Sequence, residues 1–345
     1  MSPKPVISVS VRQLVEFVLR RGDLGGGGWF SGRDRALAGT RGHQRVQRSR
    51  PDGYEKEVPL SYDVDGERFT LRVQGRLDGV LVQSGSALLE EIKTVQGRWD
   101  QTSDGLHWAQ LKCYAFIYAH DHQLKEVSLR LCYLHLDTGK LTEFIEVFSE
   151  EVLRTFFQST ATAFREWISA REDWRQNRDE SIAALAFPFE QYRPGQREIA
   201  VAAYKAIARE ESLFVEAPTG IGKTAAVLYP AVKALSEGLA EQIFYLTARG
   251  TARAAAEQAL TELRRGGLRI RSLLLTAKEK VCQREGQPCD PQICPLTRGY
   301  YDRHTAAMRQ CLAAAEIDRG VIGAAAQAHR VYIASSSVWT SSGSM

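Results

Sequence analysis

At 345 residues the chain exceeds one ordinary domain, and 44% hydrophobic with 25% charged residues describes a soluble globular protein able to bury a real core. A formal charge of +4 is too mild to announce a nucleic-acid binder by electrostatics alone. No apolar run approaches the ~20 residues that span a bilayer, and the N-terminus lacks a signal-peptide pattern, so membrane and secreted classes are set aside and a cytoplasmic location is expected.

Ser10 is placed to cap an amphipathic helix over 10–21, with Val11, Leu14, Val15 and Val18 on one face. "LGGGG" (24–28) reads as a flexible loop. Gly39 and His43 share a probable helix with Arg41, Arg45, Arg48 and Arg50, a basic run that is most often a solvated face. From "EVPLSYDV" to "ALLEEIKTV" the alternation is that of strands, with turns at Asp65-Gly66 and near Ser84-Gly85. A helix over roughly 105–119, a hairpin "EVSLRLCYLHLDTGKLTEFIEVF" and a long helix to about residue 175 follow. The first half is therefore expected to be a mixed, antiparallel-rich sheet flanked by helices over 1–175. The charged stretch "REDWRQNRDES" reads as a boundary, giving a linker over 171–185. Beyond it, "SLFVE", "QIFYLTA" and "IRSLLLTA" alternate with helices, the rhythm of a parallel α/β domain over 186–345.

Three sets of residues carry chemistry. In the first half, Asp78 and Glu91 lie on adjacent strands, so both carboxylates meet at one sheet edge, and two carboxylates with waters suit Mg²⁺ or Mn²⁺ acting on a phosphodiester. Lys93 shares a strand face with Glu91, while Glu90 alternates to the other face. Gln110 and Tyr114 stand one helical turn apart, and His43 is a candidate third metal ligand. In the second half, Ala217-Pro218-Thr219-Gly220-Ile221-Gly222-Lys223-Thr224 follows a strand-like segment and opens a helix. Its glycines free backbone N–H groups for phosphate oxygens; Lys223 is expected on the β/γ-phosphates of ATP and Thr224 on its Mg²⁺. Upstream, Gln196 is placed to read an adenine edge and Arg193 to brace the loop; Thr247, Arg249 and Thr251 are candidate DNA-phosphate contacts.

The third set is Cys282, Cys289 and Cys294, in a polar loop with prolines. Their spacing lacks the C-x-x-C pairs usual for structural zinc, and soft thiolates otherwise favour iron–sulfur clusters, with Cys311 available as a fourth ligand. Cluster-type ligation is favoured over zinc or no metal.

The order GxxxH, D, ExK, QxxxY resembles the RecB-type branch of the PD-(D/E)XK nucleases over about residues 8–165. The A-x-x-G-x-G-K-T loop, the Tyr-Arg-x-x-Gln segment and the cysteine loop resemble superfamily 2 DNA helicases of the iron–sulfur, DinG/XPD type. That resemblance implies a [4Fe–4S] insertion at about 278–311 and a partial RecA-like ATP-binding domain. In such relatives the last cysteine comes in a V-C-P-F-E-like segment, where this chain has "AHRVYIASSS". Together these imply an ATP-dependent DNA helicase and metal-dependent nuclease that acts in DNA repair on single-stranded or branched DNA. After Thr224 no two acidic residues are adjacent, so the acidic box of such motors is missing, and the polypeptide reads as cut short within its first motor lobe. The alternative is a catalytically inactive DNA- and ATP-binding fragment.

Overall fold

A computed structural model describes residues 4–24, 33–83, 85–248, 250–275, 282 and 289–333. The chain divides into two units, Met1–Ile168 with Pro288–Asp302, and Ser169–Gln287 with Arg303–Met345. Glycines 25–28 of the "LGGGG" loop, Ser84, Arg249 and the serine-rich tail from 334 onward lie outside the described residues.

The first unit opens with a strand that the sequence reading missed, β1 (Val6–Ser10), which passes directly into α1 (Val11–Leu19). Ser10 makes the junction. Its hydroxyl accepts the Gln13 N–H at 3.2 Å, while the Gln13 side chain accepts the Ser10 N–H at 3.1 Å, a capping box that satisfies two donors at once. Helix α2 (Arg33–Arg48) leads to β2 (Tyr54–Val64), β3 (Thr70–Gln83) and β4 (Ser86–Val95). Between β2 and β3 the pairing of Val64 with Leu71 leaves a wider loop than the expected Asp65-Gly66 turn, closed by the Thr70 hydroxyl on Asp65. Helix α3 (Gly105–Asp121), capped by Asp104, is followed by β5 (Glu126–His135) and β6 (Leu141–Ser149).

These strands form a six-stranded mixed sheet in which β3 is shared three ways. β2 runs antiparallel along one edge of β3, from Leu71 to Leu81. The other edge is taken first by β1, parallel over Thr70–Gln74, and then by β4, antiparallel over Gly79–Gln83. The four residues between are left without a ladder on that edge. Past Glu90, β4 pairs with β5 alone. The strands thus part at Asp78 and Glu91 and leave a fork in the sheet.

Helices α1, α3 and the first half of α4 (Glu150–Ala183) share one core with the sheet, in which Leu111, Phe116, Ile117, Leu129, Phe157 and Phe164 are buried. Helix α2 is fixed separately, through Val46 against Ile92, Cys132 and Leu134. The stretch expected as a linker, 171–185, is instead helical through Ala183. Its charges sit at helix spacing, Arg175 with Asp179 and Gln176 with Glu180, and Ile182 and Leu185 are buried, so the segment is a helix with a solvated face.

The second unit contains α5 (Gln196–Ala208), α6 (Lys223–Ser236), α7 (Gly250–Arg265), the short parallel pair β7 (Ser272–Leu273) and β8 (Glu316–Ile317), most of α8 (Tyr300–Leu312), and α9 (Arg319–His329). Ile182, Leu185, Val232, Leu235, Leu263 and Leu268 form its main core. The parallel sheet expected here is present as the β7–β8 pair, whereas "SLFVE" and "QIFYLTA" form no strand. Phe214 and Leu246, within these two segments, are 95% and 86% exposed.

Candidate functional site

The fork in the first unit gathers the residues that the sequence singled out. Asp78 stands where β3 loses its ladder, and its Oδ2 accepts the Ile92 N–H at 2.6 Å, replacing the bond that a continuing β4 would have made. Its other oxygen, Oδ1, lies 3.3 Å from His43 Nδ1 on α2. Across the fork Glu91 is 3% exposed; its Oε1 accepts Lys93 Nζ at 2.7 Å, while Oε2 is buried without a hydrogen-bond partner. Lys93 Nζ also donates to Gln110 Oε1 at 3.0 Å. The Tyr114 hydroxyl comes near enough to Gln110 and to the Arg76 backbone for both to pull its pKa down against burial. Gly75 admits that hydroxyl, since a Cβ there would lie 2.5 Å from Tyr114 Oη.

The electrostatics follow from burial in one crowded place. Burial first, then Asp78, pushes Glu91 up to about 7, against the opposing pull of Lys93. Burial lowers His43, but the hydrogen bond and charge of Asp78 outweigh it and the net shift is upward. Tyr114 is pushed up to about 12 by burial and then by the Glu91 charge. A buried carboxylate oxygen with no donor, beside a second carboxylate and an imidazole, is a donor set that suits a hard divalent cation. Three ligating groups whose donor atoms lie within 4.8 Å of one another do occur among the described residues, but they are Glu90, Cys132 and Glu143. Arg50 Nη2 touches all three, so a guanidinium already stands where an ion would.

Sequence reasoning singled out Gly39, yet the close helix–sheet approach falls at Gly42. A Cβ on Gly42 would sit 2.8 Å from Thr94 Cγ2, whereas Gly39 has ordinary clearance. It also passed over Gln47, whose Nε2 donates to the Asp78 carbonyl at 2.9 Å and to Glu57 at 3.0 Å. His107 was missed as well. Its Nδ1 pairs with the Tyr133 hydroxyl at 2.8 Å, and burial followed by the Lys93 charge pushes it down to about 4. Its place three residues before Gln110, on one helical face, was the available signal.

In the second unit the loop 217–224 is open to solvent, with Lys223 exposed. Gly220 and Gly222 take φ of +85° and +84°, the left-handed region that glycine enters freely. Gly222 caps α6 without a side-chain bond, so the N-terminal N–H groups of the helix have no side-chain acceptor at the cap. Lys223 Nζ donates to the Ala217 and Pro218 carbonyls at 2.8 and 2.7 Å. Arg193 donates to the Gly220 carbonyl, and Gln196, buried, accepts the Arg193 N–H and donates to the Gly222 carbonyl at 3.2 Å. Both upstream residues therefore brace the loop backbone.

Thr247 and Thr251 are exposed before and within the start of α7. Cys289, half-buried, and Cys294, buried, belong to the first unit; Cys282, half-buried, and Cys311, buried in α8, belong to the second. Cys113 and Cys132 are buried. No helix among the described residues is long and apolar enough to cross a membrane.

A model of the PD-(D/E)XK nuclease superfamily matches residues 7–197, and a model of the DEAD/DEAH box helicases matches residues 196–317. Among solved structures, one titled "Crystal structure of SSO0001" aligns with a TM-score of 0.32 and 17% identity, over 45% of this chain and 76% of that one. No curated protein matches.

Proposed function

The chain belongs to the PD-(D/E)XK nuclease superfamily and carries a DEAD/DEAH box helicase domain after its nuclease domain, and from this premise we propose a metal-dependent DNA nuclease whose reaction centre is the strand fork. Asp78 and Glu91, with His43, hold Mg²⁺ or Mn²⁺. When bound, the cation activates water and offsets phosphate charge. Lys93, held between Glu91 and Gln110, presents its ammonium to the charge that builds on the scissile phosphate. Gln110 orients Lys93, and Tyr114 packs beside it against Gly75 of β3.

The observation that carries this reading is the buried, partnerless Glu91 Oε2. Such an atom is costly unless something binds it. The full chain is expected to cleave single-stranded DNA with Mn²⁺, and Lys93→Ala to lower the rate by roughly 10²–10³-fold. Undiminished cleavage by that variant removes the catalytic assignment.

The second domain, over 186–345, binds ATP through Ala217–Thr224, with Lys223 on the terminal phosphates, Thr224 on Mg²⁺, Arg193 bracing the loop and Gln196 on the adenine edge. In its finer detail the reading is a helicase of the iron–sulfur DinG/XPD type, acting in repair on single-stranded or branched DNA. Cys282, Cys289, Cys294 and Cys311 are then the ligands of a [4Fe–4S] cluster, a role supported by their spacing and soft thiol chemistry. Anaerobically purified full chain should contain iron and acid-labile sulfide and lose both in Cys294→Ser. Colourless, iron-free protein would dismiss the cluster and leave the nuclease reading intact.

A further inference from the structure

We propose that Glu90, set behind the fork, is a positioning residue that fixes the separation at which Asp78 and Glu91 receive the cation; this rests on the nuclease reading above. Glu90 forms the last β3–β4 pair, opposite Gly79, before the strands part. Its carboxylate is fully buried and is gripped from three further elements. Arg50, just beyond α2, donates to both of its oxygens, from Nε at 3.1 Å and from Nη2. The Tyr54 hydroxyl of β2 donates to Oε2 at 2.6 Å, and Arg130 Nε of β5 stands 2.7 Å from Oε1. Arg50 continues to Glu143 of β6 at 2.7 Å.

These contacts reach the cation ligands by short routes. The phenol end of Tyr54 lies against Gly79, where a Cβ would fall 1.9 Å from its hydroxyl, and Gly79 follows Asp78 directly. Arg50 anchors the end of α2, the helix from which His43 reaches Asp78 and Gln47 holds the Asp78 carbonyl. A buried ionic knot of this kind is no better for stability than well-packed apolar side chains, whereas it specifies one geometry, because each charge tolerates few arrangements of its partners. It sits at the one point where the backbone ladder no longer defines how β3 and β4 lie, so the knot takes over the role of the missing hydrogen bonds.

The test is Mn²⁺ binding by the full chain, followed calorimetrically and by electron paramagnetic resonance, for the wild type, Glu90→Gln, Tyr54→Phe and the ligand control Asp78→Asn. Glu90→Gln is expected to weaken Mn²⁺ binding by roughly 10–100-fold, the scale of lost outer-shell partners, and to alter the Mn²⁺ spectrum while circular dichroism stays that of a folded chain. Tyr54→Phe removes one hydroxyl and keeps the ring, so it remains informative if Glu90→Gln fails to fold; a smaller loss in the same direction is expected. Wild-type affinity and spectrum in every folded variant of the two would overturn the inference alone. No Mn²⁺ binding by the wild type would overturn it together with the nuclease reading.

Discussion

At the scale of single residues, the first unit concentrates its unusual chemistry in one carboxyl. Glu91 is pushed up from an ordinary 4.5 to about 7, burial being the largest cause, so the folded chain favours its protonated form. The sign follows from linkage. A raised folded-state value contributes stability that is full below the unfolded value and is lost as pH climbs through the folded one. His43, also raised, acts in the same direction at higher pH. The metal-free chain should therefore lose thermal stability between about pH 5 and pH 7.5, and added Mn²⁺ should restore it, because the ion takes the ionised carboxylate and neutral imidazole. Thermal melts in chelator and in Mn²⁺ across that range check this. A metal-free melting temperature that rises with pH would contradict the Glu91 assignment.

At the scale of elements, the decisive contact is α2 against the sheet. The helix carries His43 and is polar over most of its surface, so little apolar area holds it apart from the Val46 cluster. Its approach depends on Gly42, which lies over Thr94, Leu134 and Leu136. Gly42→Ala should cost about 1–3 kcal/mol through overpacking. It should also weaken Mn²⁺ binding, since the helix must back away with His43; unfolding curves and metal titration read the two effects. Gly39→Ala is the internal control, with a clearance of 3.5 Å, and an equal loss in both variants would refute the assignment of the close approach. The motif GxxxH was legible in the sequence, but which of the two glycines is sterically required was not. That distinction depends on the Thr94 methyl across the interface, a residue far away in the chain.

At the scale of the whole molecule, the two proposed sites draw their residues from different units, the fork from the first and the loop 217–224 from the second. Lys223→Ala is expected to abolish ATP binding and leave Mn²⁺ binding at the fork unchanged; Asp78→Asn should do the reverse. Isothermal titration of each ligand with each variant measures this, and residue sets that share no hydrogen-bond partner should combine additively in the double variant. A loss of Mn²⁺ binding in Lys223→Ala would show that the fork depends on the nucleotide loop.

The sequence by itself determined which residue types meet: the alternation of β4 separates Glu91 and Lys93 from Glu90, helical spacing aligns Gln110 with Tyr114, and the glycines of 217–224 predict a loop whose backbone N–H groups can close around phosphate. These are local regularities, written into the period of the strand or helix that carries them. Tertiary structure alone decided that β3 is shared by three strands, that the sheet forks at Asp78, and that α4 runs on through a stretch of charges. Each of those outcomes depends on a partner distant in sequence, for a ladder edge exists only once another strand has come to it, and no single segment encodes which strand that will be.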